Sequence, residues 1–362
     1  MLYYFLSLLI SKYHIFNVIK YITFRGMAAT FTALIVSFFI GPRIIRLLKS
    51  IQREGQPIRA NGPESHIVNK KGTPTMGGLM IIISILFSTF LWADLSNFYI
   101  WICLFVMLSF AALGFLDDYK KLKYKNSKGV SVKLKLGWQF ITASIAAIMI
   151  SELAQNETAT IVFFPFYKNL TLDLGISYFL FASVVIIGSS NSVNLTDGLD
   201  GLATLPVIIV ACCFALISYL VGNFIFANYL QIQYVQGVGE VSIFCAVIIG
   251  AGLGFLWYNA PPAKVFMGDV GSLSLGGAIG TISVITKHEM VLFITGGLFV
   301  MEALSVIIQV GFYKLRGKRV FKMAPIHHHF EKIGWSEPTI VIRFWILAFI
   351  FALIGLSTLK LR

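Results

Sequence analysis

Short polar runs interrupt otherwise apolar sequence at Gly72-Thr-Pro-Thr-Met-Gly-Gly78, Asp117-Asp118, Asn191 to Gly201, Asn259 to Asp269 and Pro325 to Glu331. The acids among them are where chemistry would start. Asp117 and Asp118 close an apolar stretch as Gly-Phe-Leu-Asp-Asp-Tyr-Lys-Lys. Negative charge at a helix C-terminus opposes the macrodipole, so the pair is poorly explained by helix stability. Adjacent helical positions point about 100° apart. The spacing therefore predicts diverging carboxylates, one contacting a metal and the other handling a proton. Asp269 is the only acid of its run and is flanked by Gly268 and Gly271. Hard oxygen ligands beside phosphate favour magnesium, which takes one or two carboxylates and keeps several waters. Asp269 is the expected Mg2+ ligand.

Asn191, Asn194, Asp197 and Asp200 recur every third residue. On helical turns this spacing lines amides and carboxylates along one side, and Gly198 and Gly201 would admit a ligand close to the backbone. A calcium loop is excluded, because an EF-hand needs oxygen ligands at its first, third and fifth positions and a glutamate at its twelfth. A plain Asn, Asp and Gly turn is the alternative. Phe266 suits either base stacking or interface packing. His327, His328 and His329 are consecutive, whereas helical zinc motifs space His at i and i+4. Hydrogen bonding to phosphate or sugar, or simple surface placement, fits them better. Cys103, Cys212, Cys213 and Cys245 fall in apolar sequence without C-x-x-C spacing and read as packing residues.

The elements that must position these groups are membrane helices. A mean hydropathy of +0.82, with 57% hydrophobic and 12% charged residues over 362 positions, leaves too little polar surface for a soluble globule. Spans of about 20 residues suit a hydrocarbon core about 30 Å thick. About ten are predicted, over 23–48, 75–93, 98–116, 134–152, 176–191, 201–221, 240–258, 270–286, 291–313 and 339–359. The fifth is the weakest, because Ser189 to Ser192 would have to lie at the interface, and eight or nine helices is the alternative. Lysine and arginine crowd 43–73, 117–135 and 314–338, while the intervening loops hold only Lys168 and Lys287. Positive residues are retained in the cytoplasm, so all five polar runs face the cytoplasm and both termini are periplasmic. The net charge of +13 then serves anionic lipid or a polyanionic substrate, and nucleic acid is not an expected partner. The first 24 residues lack a basic n-region and an A-x-A site, and Lys12 interrupts their apolar run; an uncleaved segment lying along the membrane is expected.

Taken together, the motifs resemble the phospho-N-acetylmuramoyl-pentapeptide transferase family, within the polyprenyl-phosphate N-acetylhexosamine-1-phosphate transferase superfamily. The resemblance runs nearly end to end. It rests on the 72–78 run, Asp117-Asp118-Tyr, Asn-Leu-Thr-Asp-Gly-Leu-Asp-Gly at 194–201, Phe-Met-Gly-Asp-Val-Gly-Ser at 266–272 and His-His-His-Phe-Glu at 327–331. It implies an all-α polytopic protein of ten helices, a single membrane-embedded transferase domain over 1–362 and a homodimer in the bacterial inner membrane. The implied reaction passes phospho-MurNAc-pentapeptide from UDP-MurNAc-pentapeptide to undecaprenyl phosphate, giving UMP and lipid I. The resemblance also implies that Asp117, Asp118 and Asp269 are essential, with Asp269 on Mg2+. It implies a nucleoside pocket of Lys70, Asn194, Asp197, Asp200, Asn259 and Phe266, the last stacking on uracil, and a donor site beside His327 to His329. Asn191 joins the substrate-binding candidates through its place in the Asn and Asp run.

Three other classes compete. A sister enzyme moving GlcNAc-1-phosphate to the same lipid shares the aspartates, but the histidine run and Pro-Thr-Met-Gly-Gly favour the muramoyl family. A secondary transporter would carry its acids near mid-span and is built from repeats, whereas only Glu302 stands there and no clear repeat is present. A scaffold for cell-wall partners would not need the aspartates. The charge asymmetry predicts that, in a cysteine-free background, Ser65→Cys is shielded from an impermeant thiol reagent in intact cells while Gly222→Cys is labelled. The reverse pattern overturns the orientation.

Overall fold

In a computed structural model the described residues are 1–10, 12–52, 72–125, 129–154, 159–167 and 170–360. Helix α1 (Leu2–Leu9) and a 3-10 turn (His14–Lys20) lead into α2 (Ile22–Ile51), α3 (Gly78–Trp92), α4 (Phe98–Lys123) and α5 (Val132–Ala154). An antiparallel hairpin of β1 (Ile161–Phe163) and β2 (Thr171–Asp173), with Val162 opposite Leu172, precedes α6 (Tyr178–Thr196) and α7 (Thr204–Val221). Then come α8 (Phe224–Leu230), α9 (Val241–Asn259), α10 (Gly268–Ile285), α11 (Glu289–Thr295), α12 (Gly297–Arg316), α13 (Ile326–Ile333) and α14 (Glu337–Ser357). Among the described residues nine helices are long and apolar enough to cross a membrane. The chain is an all-α polytopic membrane protein.

Three expected spans differ from what forms. The second shortens to α3, of 15 residues, which at about 1.5 Å per residue falls short of a full crossing. The residues before it, back to Pro74, are not helical because they bond to the 266–267 segment instead of to each other: Gly77 N donates to Phe266 O at 2.8 Å and Phe266 N to Pro74 O at 2.9 Å. The ninth span divides at Gly296 and Gly297 into α11 and α12. There Gly297 abuts the Phe351 ring, a Cβ at 297 falling 2.7 Å from it. The fifth span does not end at its serines but continues to Thr196. Its polar side chains face other helices: Ser189 Oγ donates to Gly276 O at 2.8 Å, Ser190 Oγ to Leu273 O at 2.9 Å and Asn191 Nδ2 to Gln139 Oε1 at 2.9 Å. Lipid offers no hydrogen bonds, so such groups are stable in a span only against another helix.

The axis of the bundle is α10, 94% of whose span is buried. Its small residues make that burial possible. Gly276 lies against Ser189 O of α6, Gly277 against the Phe110 ring of α4 and Gly271 against Gly78 of α3. Because lipid tails are as apolar as leucine, close van der Waals approach and interhelical hydrogen bonds drive such packing. At the far end from the polar runs, Glu240 holds Arg25 through both carboxylate oxygens at 2.5 and 2.9 Å and accepts Asp94 N at 3.1 Å.

The structure also corrects the labelling design. A Cβ at Gly222 would fall 2.2 Å from Gly239 N, so Asn228→Cys, on the exposed face of α8, replaces it. The tightest joint gives a stability test. A Cβ at Gly78 would lie 2.2 Å from Gly271 N and 2.4 Å from its Cα, with backbone on both sides. Gly78→Ala should lose about 1–3 kcal/mol or more to overpacking and lower the melting temperature in detergent, while Gly137→Ala, which meets nothing within 4 Å, should leave it unchanged or raise it.

Candidate active site

Helix ends converge on the polar runs. The C-terminal ends of α4, α6 and α9 meet the N-terminal ends of α3 and α10. Asp117 and Asp118 come from the end of α4 and Asp269 from the first turn of α10, and one oxygen of each lies within 4.8 Å of the others. The expected divergence of Asp117 and Asp118 is thus overturned. Their fork opens onto the N-terminus of α10: Asp118 Oδ2 accepts Val270 N at 3.4 Å, and Asp117 interacts directly with the Asp269 carboxylate. A third carboxylate arriving from another helix makes one site of two directions. The N-terminal end of α10 also favours the negative charge of Asp269.

Glycines clear the space. A Cβ at Gly114 would fall 2.2 Å from Asp269 O, which lets α10 reach the α4 backbone. At Gly129 (φ +56) a Cβ would fall 2.5 Å from Asp117 Oδ1, and the next amide, Val130 N, donates to that oxygen at 2.7 Å. At Gly268 (φ +73) it would fall 2.5 Å from Asp118 Oδ2. Positive φ suits glycine in any case.

Two lysines balance the charge. Lys121 Nζ lies 2.5 Å from Asp117 Oδ2, 3.2 Å from Asp269 Oδ2 and 3.6 Å from Asp118 Oδ1. Lys135 Nζ lies 3.0 Å from Asp269 Oδ2. Asn194 Nδ2 donates to Asp269 Oδ1 at 2.9 Å and to Ser272 Oγ at 2.8 Å. Asp118 Oδ1 is buried with no hydrogen-bond partner among the described residues. An all-carboxylate set with one such oxygen fits a hard divalent cation, and Asp117 and Asp118 are as well placed to ligate it as Asp269.

The other predicted residues form two further groups. Asp200 and Asn259 brace the turn that carries Phe266: Asp200 Oδ2 accepts Ala263 N at 2.9 Å, and Asn259 Nδ2 donates to Val265 O at 3.0 Å while Thr204 Oγ1 donates to Asn259 Oδ1 at 2.7 Å. Phe266 itself is half-buried and its main chain is clasped by the 74–77 segment. The histidines go three ways. His327, fully buried, has Nδ1 3.0 Å from Glu302 Oε1; His328 Nδ1 lies 2.6 Å from Glu331 Oε2; His329 Nδ1 accepts Lys322 N at 3.1 Å.

The expected single line of Asn191, Asn194, Asp197 and Asp200 does not form, because α6 stops at Thr196 and Asp197 takes the capping position at ψ 52. Asn194 bonds to the carboxylate cluster, whereas Asn191 points to Gln139 of α5. Gly198 and Gly201 meet the protein's own His327 and Leu256, not open space for a ligand. Lys70 lies outside the described residues.

Sequence reasoning passed over Lys121, Lys135, Gln52 and Glu302 as site residues. Lys121 had a usable signal in its i+4 and i+3 spacing from the aspartates. Gln52 had none: it holds Thr75 through both ends of its amide, Thr75 N donating to Oε1 at 2.9 Å and Nε2 to Thr75 O at 3.2 Å.

A polytopic helical protein with a carboxylate cluster flanked by lysines at its helix ends is the setting for phosphoryl transfer at a membrane. Residues 100–287 match the family model of glycosyl transferase family 4, and residues 70–82 match phospho-N-acetylmuramoyl-pentapeptide-transferase signature 1. The chain is 57% identical over 362 residues, all of both chains, to the phospho-N-acetylmuramoyl-pentapeptide-transferase of Pelagibacter ubique strain HTCC1062. It is 57% identical over 354 residues, 98% of each chain, to that of Granulibacter bethesdensis, and 56% identical over 347 residues, 96% of each, to that of Gluconobacter oxydans. The chain belongs to the phospho-N-acetylmuramoyl-pentapeptide-transferase family.

The Glu302 and His327 pair gives a local test, since removing one partner leaves the other buried and unmatched. Glu302→Ala and His327→Ala should each lose about 1–3 kcal/mol in thermal unfolding, and the double variant should lose clearly less than their sum. Strictly additive losses would show that the two side chains do not act together.

Proposed function

We propose that this protein transfers phospho-MurNAc-pentapeptide from UDP-MurNAc-pentapeptide to undecaprenyl phosphate, releasing UMP and leaving lipid I in the membrane. The observation that carries the reading is the cluster of Asp117, Asp118 and Asp269 with Lys121 and Lys135 at the helix ends, in a chain of this family. The enzyme works as a homodimer in the bacterial inner membrane, as one transferase domain over 1–362 whose five loops at this end face the cytoplasm. The crowding of lysine and arginine in the same loops supports that orientation.

Both substrates are anionic, and one pyrophosphate bond is exchanged for another, so the task is positioning and charge neutralisation rather than energy input. Asp269 and Asp118 would hold Mg2+, which when bound would supply Lewis-acid stabilisation of the phosphoryl oxygens. Asp117, fixed by Val130 N, accepts the proton of the lipid phosphate. The freed phosphate oxygen attacks the sugar-bearing phosphorus of the donor, and the bond to UMP breaks. Lys121 and Lys135 lie where they can pair with the negative charge that moves onto the leaving UMP. The turn braced by Asp200 and Asn259 presents Phe266 to the uracil ring, Asn194 steadies Asp269, and Lys70, Asp197, Asn191 and the 327–329 histidines complete the donor side.

The test is to incubate purified protein with both substrates and measure UMP and lipid-linked product, with UDP-GlcNAc as the competing donor. Product from UDP-GlcNAc alone would replace this reading with the sister activity. Asp117→Asn should lose roughly 10²- to 10⁴-fold in rate, the usual worth of general-base help, with no recovery in excess magnesium. Asp269→Asn, which keeps an oxygen but loses charge, should recover in part. Rescue of the first and not the second would invert the two roles.

A further inference from the structure

Lys121 stands four residues after Asp117 and three after Asp118 on the last turns of α4. Both spacings put side chains on one helix face. Its ammonium is the only cation among the described residues that reaches all three carboxylates, at 2.5, 3.2 and 3.6 Å. Lys135, on α5, reaches Asp269 alone, at 3.0 Å. One carboxylate oxygen of each aspartate lies within 4.8 Å of the others, so a divalent ion drawing on the triad would compete with the Lys121 ammonium for the space between them.

From this geometry we propose that Lys121 is the built-in counter-ion of the triad: it fills the cation position when no metal is bound and is displaced toward the substrate phosphates when a divalent cation arrives. This rests on the reading that the triad binds such a cation. Three carboxylates this close repel one another and need a compensating charge in either state. Lysine suits the part because its compact charge rides a flexible four-carbon stem and presents three rotatable donors, whereas an arginine fork would be fixed in one plane. At 16% exposed, its side chain has a way out. Asp118 Oδ1, lacking a hydrogen bond, is the oxygen that gains most when the exchange occurs. The exchange ties metal occupancy to phosphate recognition, because the charge released from the triad is delivered to the anionic substrates.

The test measures Mn2+ binding to the full-length protein in detergent without substrates, from the free-ion electron paramagnetic resonance signal. Lys121→Met should bind Mn2+ roughly tenfold tighter or more, as expected when a unit charge leaves an ion's immediate neighbourhood. Lys135→Met removes the same charge beside Asp269 without vacating the shared position, and its gain should be clearly smaller. Lys121→Gln, which keeps a polar tip, should show the same gain and takes the place of Lys121→Met if the latter folds poorly. In metal-free buffer both Lys121 variants should melt below the natural protein, and saturating Mn2+ should close that gap. Unchanged or weaker binding in the Lys121 variants, or a gain equal to that of Lys135→Met, overturns the proposal. Should the natural protein, the lysine variants and Asp269→Asn all fail to bind Mn2+, the metal reading falls and the proposal falls with it. Binding by the natural protein that Asp269→Asn abolishes and Lys121→Met leaves alone removes the counter-ion role only.

Discussion

The mutual repulsion of Asp117, Asp118 and Asp269 is the constraint around which this end of the molecule is arranged. At separations up to 4.8 Å, each like-charged pair costs on the order of 3 kcal/mol at an effective dielectric constant of about 20. Nothing in a helix by itself offsets that, and the C-terminal end of α4 adds to it. The compensation comes from four directions: Lys121 from the same helix, Lys135 from α5, Asn194 from α6 and the N-terminal end of α10. Remove the surrounding helices and the cluster has no reason to persist.

Bringing those helices together is a question of size. The first turn of α10 reaches α4 and α3 only because Gly114, Gly78 and Gly271 carry no side chain where backbone meets backbone. Farther along, Gly276, Gly277 and Gly280 let α10 run buried between α4 and α6. The serines of α6, which look out of place in a membrane span, are the hydrogen-bonding counterpart of that fit, with Ser189 and Ser190 donating to carbonyls of α10. Stability and site geometry therefore draw on the same contacts, and a methyl group at Gly78 or Gly114 threatens both.

Around the cluster, several polar residues act at one remove. Asp200 and Asn259 hold the turn that carries Phe266; Gln52 holds Thr75; Glu302 holds His327, which in turn fills the face of Gly198. In a low-dielectric setting a half-satisfied polar group is costly, so each of these bonds fixes a loop more firmly than its count suggests. The rigid frame is what lets a few charged groups meet two anionic substrates in register.

The sequence alone determined the class of protein, most of the helical spans to within several residues, the family and the three acids that come together, because hydropathy, charge bias and short motifs are local properties. It also located every polar run at one end of the bundle. Directions in space were not legible. Local helical geometry sent Asp117 and Asp118 apart, and only the arrival of Asp269 on α10 made them one site. A regular three-residue spacing suggested a shared face for Asn191, Asn194, Asp197 and Asp200, but α6 ends at Thr196 and sends them to different partners. Lys121 and Lys135 read only as part of the basic stretch that sets orientation, and Glu302 as a mid-span acid, until their partners, from up to 148 positions away for Lys121 and Asp269, were in place. Periodicity and motifs record what each segment can do by itself. Which side chains meet is decided by helix packing, and that depends on the few places where glycine lets two backbones touch.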